Sequence, residues 1–219
     1  MSLDHNLNKI LIVDFGSQFT QLIARRIREL GIFCEIISHK KVKNKNIDSL
    51  VKGIILSGGP LNVYEIKRYS FDKKIIQKGI PILGICFGHQ IIAQALGGRV
   101  EKFDGGWSVG LTDYEIDGHT YSLNAWHQDQ VVTLPTDAQV IGQSDFCANA
   151  VLSYGDHILT FQPHPEFDAA FTKGLIDHRG QGVVPDDLLN SAKSRLQELA
   201  AQPEMAERIA RHFQQEKRT

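Results

Sequence analysis

Cysteine is scarce in this sequence: Cys34, Cys86 and Cys147 are the only three in 219 residues. They are odd in number, far apart and without a Cys-x-x-Cys pair, which excludes a disulfide framework and a zinc knuckle and suits a reducing compartment. An excess of charge of either sign is also missing. The 24 Lys and Arg are intermixed with 25 Asp and Glu, for a net charge of -1. Phosphate binding usually leaves a basic footprint, so nucleic acid is not expected as a partner. No apolar run approaches the ~20 residues a membrane span needs, and Met1 to Lys9 is polar, with no signal-peptide core. These absences read as a soluble cytoplasmic protein with no membrane contact. The nine histidines, from His5 to His212, lack metal-ligand spacing; no metal site is expected, and most are expected at the surface. There is no internal repeat, low-complexity segment or long linker.

What remains is a chain that is 42% hydrophobic, enough for one large domain over 1–219 with a sizeable core. Lys9 to Phe15 is a β-rich run. Ser17 is placed to cap a helix through Phe19, Leu22, Ile23, Ile27 and Leu30, which Gly31 closes. Strands are expected at Phe33 to Ile37 and Gly53 to Ser57, separated by a basic loop at Lys40 to Lys45. A helix around Phe71 to Lys78 leads to the apolar run Ile80 to Ile85. Near-continuous apolar strands alternating with helices predict an α/β fold with three layers: a mostly parallel central sheet covered by helices on both faces. After Gly97-Gly98 the texture changes. Leu111 to Ile116, Thr120 to Leu123, Gln130 to Leu134, Gln139 to Gln143 and Asn149 to Leu152 read as antiparallel strands and hairpins, a smaller antiparallel sheet. His157 to Gln162 reads as a further central strand. Leu188, Leu189, Ala192, Leu196 and Leu199 have helical spacing, Pro203 breaks it, and Ala206 to Phe213 makes a last amphipathic helix.

The chain is organised around Gly84-Ile85-Cys86-Phe87-Gly88-His89-Gln90. Glycines two before and two after Cys86, between an apolar strand and the helix-periodic Ile91, Ile92, Ala95 and Leu96, have the form of a nucleophile elbow. A cysteine there sits at a helix N-terminus, where aligned peptide dipoles favour an anion. Taken alone, the elbow leaves a buried cysteine packed as a small hydrophobe as an equal alternative. The company it keeps decides. In an open parallel sheet, ligands sit outside the carboxyl ends of the strands. Gly58-Gly59, Cys86, and His164 with Glu166 all fall at such ends. A cysteine nucleophile needs a base, and the base needs a group that fixes its tautomer. Residues i and i+2 of an extended segment project to one side, so Glu166 is placed to hold His164 towards Cys86. Backbone N–H groups of Gly59 and Phe87 are the candidate oxyanion donors.

These residues resemble a known family. Gly58-Gly59-Pro60, the Gly84 to Gln90 elbow and His164-Pro165-Glu166 are similar to the three motifs of class I (triad) glutamine amidotransferases. The run from Ile10 to Ile36 is especially similar to the amidotransferase domain of GMP synthases. The resemblance implies the flavodoxin-like fold of that family and no cofactor. It also implies hydrolysis of glutamine to glutamate and ammonia, in which Cys86 attacks the carboxamide to give a γ-glutamyl thioester, His164 serves as base and then acid, and Glu166 orients His164. Gly58, Gln90 and the Trp126-His127-Gln128-Asp129 segment, through His127 and Asp129, match substrate-binding positions. GMP synthases continue into an ATP-pyrophosphatase domain with a Ser-Gly-Gly-Val-Asp-Ser loop. Here the sequence stops at Thr219 and Ser57-Gly58-Gly59 runs into Pro60, so a separate ATP-dependent synthetase is expected to accept the ammonia. Phe167-Asp168-Ala169-Ala170 also departs from the usual Val-Thr-His-Thr continuation. Two other readings stay open: a γ-glutamyl hydrolase acting on γ-glutamyl amides or peptides, and a non-enzymatic binding or stress-response protein. Asp14-Phe15-Gly16 looks like a kinase magnesium motif, but no glycine-rich loop or His-Arg-Asp accompanies it.

Overall fold

The computed structural model describes residues 8–42, 47–60, 62–64 and 72–214. Its frame is a run of parallel strands whose residues are apolar on both sides: β1 (Lys9–Asp14), β2 (Cys34–Ser38), β3 (Val51–Leu56), β4 (Ile82–Ile85) and β11 (Ile158–Phe161). These pair in the order β2-β1-β3-β4-β11. The sheet then continues antiparallel through β10 (Val151–Tyr154), β9 (Ala138–Gln143), β6 (Ser108–Ile116) and β7 (His119–His127), making nine strands in all. A separate two-stranded antiparallel sheet joins β5 (Arg99–Lys102) to β8 (Asp129–Thr133).

Alternation along the strands sends side chains to two cores. Leu11, Val13, Ile54, Leu56 and Ile82 pack with Phe87, Ile91 and Ile92 of α2 (Phe87–Ala95) and with Ile75 and Ile76. Ile10, Ile12, Ile55, Leu83 and Ile85 pack on the other face. Their partners there are Ile23, Ala24 and Ile27 of α1 (Thr20–Glu29), and Met205 and Ile209 of α5 (Gln202–Gln214). A satellite cluster joins Ile176, Leu189 and Ala192 to Trp107 and Trp126. It lies between β6–β7 and α4 (Asp186–Ser194), with Ile176 coming from the turn that follows α3 (Ala169–Leu175).

Local differences from the sequence reading have identifiable causes. Helix α1 starts at Thr20 behind Phe19, not at Ser17. Ser17 instead accepts the Phe19 N–H through its hydroxyl, and Asp14 accepts the N–H groups of Gly16 and Ser17 and the Thr20 hydroxyl. The kinase-like Asp14-Phe15-Gly16 is thus a capped turn. Gly31, at φ 74, does close α1: its N–H reaches Arg28 O and that of Ile32 reaches Ile27 O, a Schellman arrangement. The segment before β4 is a 3₁₀ turn, Lys73–Lys78, capped by Asp72; Phe71, Lys43 and Lys45 lie outside the described residues. Helix α4 ends at Ser194, leaving Leu199 93% exposed. Pro203 lies inside the first turn of α5, where its missing N–H costs nothing, instead of separating two helices. β5 and α3 had no separate signal. The histidines reverse the expectation most clearly: His39, His89, His127, His164 and His212 are all buried. Polar groups are buried when partnered; here His39 stacks on Phe15, His89 Nδ1 lies 2.8 Å from Thr160 Oγ1, and His212 Nε2 meets the Ile82 carbonyl at 3.0 Å.

Candidate active site

The site forms where the carboxyl ends of β3, β4 and β11 line up. Ile85 pairs with Phe161, and the Cys86 N–H donates to Phe161 O at 2.7 Å. The chain therefore turns out of β4 at Cys86, beside the end of β11. Cys86 takes φ 52 and ψ -105 and is partly exposed. This is a conformation that side-chain-bearing residues rarely adopt, and it is retained where surrounding structure enforces it. The flanking glycines do the enforcing. A Cβ on Gly88 would lie 2.1 Å from Leu56 O, and one on Gly84 would lie 2.8 Å from Gly88 O. Helix α2 can begin this close to β3 and β4 only because both positions lack side chains.

Three residues beyond β11, His164 is tied to the edge of the antiparallel half. Its N–H donates to Asn124 O at 2.8 Å, while Asn124 Nδ2 donates to Phe167 O. Within that clamp, His164 Nδ1 lies 2.8 Å from Glu166 Oε1, with both residues buried. The spacing of two around Pro165 thus does bring carboxylate and imidazole together. Phe167 stacks flat on the imidazole, with centroids 3.9 Å apart at 9°, and Phe19 meets it edge-on. The segment that departs from the family pattern therefore has its own work: Phe167 holds the ring, and Asp168 caps α3 and pairs with Arg26. Burial pushes the His164 pKa down, but the Glu166 carboxylate and the Cys86 sulfur outweigh it and raise the pKa to about 10. With Nδ1 engaged by Glu166, the sulfur acts through Nε2, which makes no hydrogen bond of ordinary geometry.

Cys86 opens into a cavity of about 310 Å³ whose wall includes Gly59, Phe87, Gln90, His127 and Asp129, together with Trp107 and Trp126. Gly59 packs against the Phe87 ring, where an added Cβ would lie 3.1 Å from Cγ, so the two candidate oxyanion residues are neighbours. Gly58 is not on that wall; it faces Ser17 Oγ and His164 Cε1 at 3.5 and 3.8 Å from where its Cβ would be. Ser57, fully buried, has its hydroxyl oxygen 3.2 Å from Thr20 Oγ1 and donates to Gly58 O, fixing this loop. Trp126 and His127 end β7 and Asp129 begins β8, so the segment read as a loop is a tight turn at Gln128. Burial raises the Asp129 pKa above the usual carboxylate range against the Tyr64 hydroxyl, which donates to Oδ1 at 3.0 Å, and against Lys102. Burial also holds His127 down to about 3, so it lines the cavity as a neutral ring. Gln90 donates through Nε2 to Asp129 O and to Gln162 Oε1, both at 3.1 Å, and Gln162 Nε2 lies 3.7 Å from Cys86 Sγ. Gln162, Asn124, Phe167 and Tyr64 were not singled out from sequence as site residues. Only Gln162 carried a signal, its place at a strand end two residues before His164.

Fold and site together define an open α/β sheet with an elbow cysteine and a buried histidine–carboxylate pair at its carboxyl edge. Known proteins resemble this chain in sequence and in fold. The model of the family "Glutamine amidotransferase class-I" matches residues 11–174, and the chain belongs to that family. It is 41% identical over 179 residues to the GMP synthase [glutamine-hydrolyzing] of Chromobacterium violaceum, covering 73% of this chain and 34% of that protein. With the enzyme of the same name from Petrotoga mobilis the identity is 39% over 209 residues, 85% of this chain and 40% of the other. The chain thus spans about a third to two fifths of these relatives. Among solved structures, a glutamine amidotransferase from Thermotoga maritima superimposes with a TM-score of 0.73 at 23% identity, over 96% of this chain and all of that one. The putative GMP synthase subunit of Thermoplasma acidophilum gives 0.63 at 29% identity, over 74% of this chain and 86% of that one. Among the described residues no helix is long and apolar enough to cross a membrane.

Proposed function

We propose that the chain is a single amidotransferase domain that hydrolyses glutamine to glutamate and ammonia and passes the ammonia to a separate ATP-dependent synthetase of the GMP synthase kind. The observation that carries this is the 2.8 Å His164–Glu166 contact, buried beside a strained elbow cysteine that opens into a cavity. Glutamine enters with its carboxamide at Cys86. The sulfur attacks the carboxamide carbon, and the N–H groups of Gly59 and Phe87 receive the oxyanion. The C–N bond breaks as His164, whose ring favours the protonated form, gives its proton to the leaving ammonia. Water then attacks the thioester with His164 as base, and glutamate departs as the proton returns to the sulfur. Glu166 keeps Nδ1 engaged throughout, so Nε2 is the nitrogen that exchanges protons. Gln90, His127 and Asp129 line the space for the rest of the substrate. Three free cysteines suit a cytoplasmic setting.

The test is glutamate release from glutamine, with and without a candidate synthetase, and labelling of Cys86 by a glutamine-mimicking electrophile. Cys86→Ala and His164→Ala abolish turnover, because nucleophile and base act as a unit, and Glu166→Ala costs less. Absence of both glutamate release and Cys86 labelling with the partner present overturns the proposal. Faster turnover of γ-glutamyl conjugates than of free glutamine would reassign the substrate.

A further inference from the structure

Gln162 is fully buried, its N–H donates to Ala150 O at 2.7 Å, and its side chain points to the end of β4. The orientation of its amide can be deduced. The Asp129 main-chain oxygen only accepts, so the Gln90 atom 3.1 Å from it is the nitrogen. That nitrogen also faces Gln162 at 3.1 Å, so the Gln162 atom there is the oxygen. The remaining Gln162 atom, its NH₂, is then the one 3.7 Å from Cys86 Sγ. Turning either amide over would set oxygen against oxygen or leave two NH₂ groups facing each other in a buried site, where unmet polar groups are costly.

We propose that Gln162 is a fixed amide donor to the Cys86 sulfur, aimed by the Asp129 carbonyl through Gln90. This rests on the reading of Cys86 as nucleophile. Its N–H stabilises negative charge on the sulfur as it attacks and as it is expelled from the thioester, since a hydrogen bond to a charged acceptor is roughly twice as strong as one to a neutral acceptor. It also holds the sulfur at the cavity wall instead of letting it rotate away. Because Asp129 belongs to the turn that lines the cavity, the relay makes the pose of the nucleophile depend on the substrate-facing turn, which neither His164 nor Glu166 does.

The experiment uses the full-length protein and three variants. Gln162→Met keeps length and burial without a donor, Gln162→Glu keeps the shape but presents an acceptor, and Gln90→Met removes the group that sets the amide's direction. Thermal melting confirms folding. The readouts are kcat and KM for glutamine, with any candidate synthetase present, and the rate of iodoacetamide alkylation at the Cys86 peptide followed by mass spectrometry. For Gln162→Met we expect kcat and the alkylation rate to fall together about tenfold, corresponding to one hydrogen bond of ~1.4 kcal/mol, with KM within twofold. Gln162→Glu falls further, and Gln90→Met shows a smaller drop in alkylation. A folded Gln162→Met, or a folded Gln162→Glu if the first does not fold, that alkylates and turns over at the wild-type rate overturns the inference; so does a change confined to KM. A wild-type protein that neither hydrolyses glutamine nor alkylates at Cys86 removes the glutaminase reading and the inference with it.

Discussion

Replacing Cys86 by glycine should make the protein more stable than replacing it by alanine. At φ 52 and ψ -105, a Cβ crowds the neighbouring backbone, and a non-glycine residue in so sparsely populated a conformation costs about 1–3 kcal/mol. Glycine removes that cost but frees the unfolded chain, giving back about 0.4–1 kcal/mol. The balance favours glycine by about 1 kcal/mol, which for a chain of this length corresponds to ~2–4 °C in Tm. Sulfur, its Gln162 contact and its influence on His164 are lost equally in the two variants, so their comparison isolates the Cβ. Thermal melts of Cys86→Ala and Cys86→Gly in one buffer, checked by urea unfolding, provide the measurement. A glycine variant that melts at or below the alanine variant would mean that the elbow is not strained, and that the two flanking glycines do not force the turn.

Three further outcomes follow from the same geometry. The His164 pKa is raised, so the stability this gives is complete below the ordinary histidine value of ~6.5 and is lost as pH climbs towards about 10. Glu166→Gln should flatten that decline in urea titrations between pH 7 and 10, and an unchanged slope would contradict the coupling. His89 and His127 have the opposite sign: burial, reinforced by repulsion from His127 when that ring is protonated in the one case and from His164 in the other, holds both down to about 3. The unfolded chain then binds more protons below pH ~6.5, so stability should fall on acidification by ~1.4 kcal/mol per pH unit for each ring. His127→Phe should remove about half of the two rings' joint contribution, and a full slope in that variant would refute it. Gly88→Ala sets a Cβ against Leu56 O, a backbone atom that cannot swing aside. It should cost at least the ~1–3 kcal/mol of ordinary overpacking, seen as a lowered Tm, and an unchanged Tm would be inconsistent with the packing of α2 on β3.

The parallel half of the sheet was legible because burial on both faces leaves strands such as Ile10 to Val13 and Ile82 to Ile85 apolar throughout. The elbow was legible for a different reason: glycines flanking a reactive residue on both sides mark a backbone constraint. His164 and Glu166 were readable as a pair because an extended segment fixes where i and i+2 point. The short strand β5 was not, since Arg99, Glu101 and Lys102 are exposed and only Val100 reaches the core. Histidine burial was also hidden, because it depends on partners such as Thr160 and the Ile82 carbonyl that are remote along the chain. Gln162 belongs to the same class: its part comes from Gln90 and Asp129, and a single residue letter does not announce a three-membered relay.

The order of the strands has a consequence for biosynthesis. β4 and β11 are neighbours in the sheet, yet the chain passes through the whole antiparallel excursion from β5 to β10 before β11 is made. A nascent chain that has emerged as far as Tyr154 has its sulfur but not the imidazole, and one side of β4 still waits for a strand. On the proposed chemistry, truncated or stalled polypeptides therefore consume no glutamine: the ribosome delivers the proton carrier late.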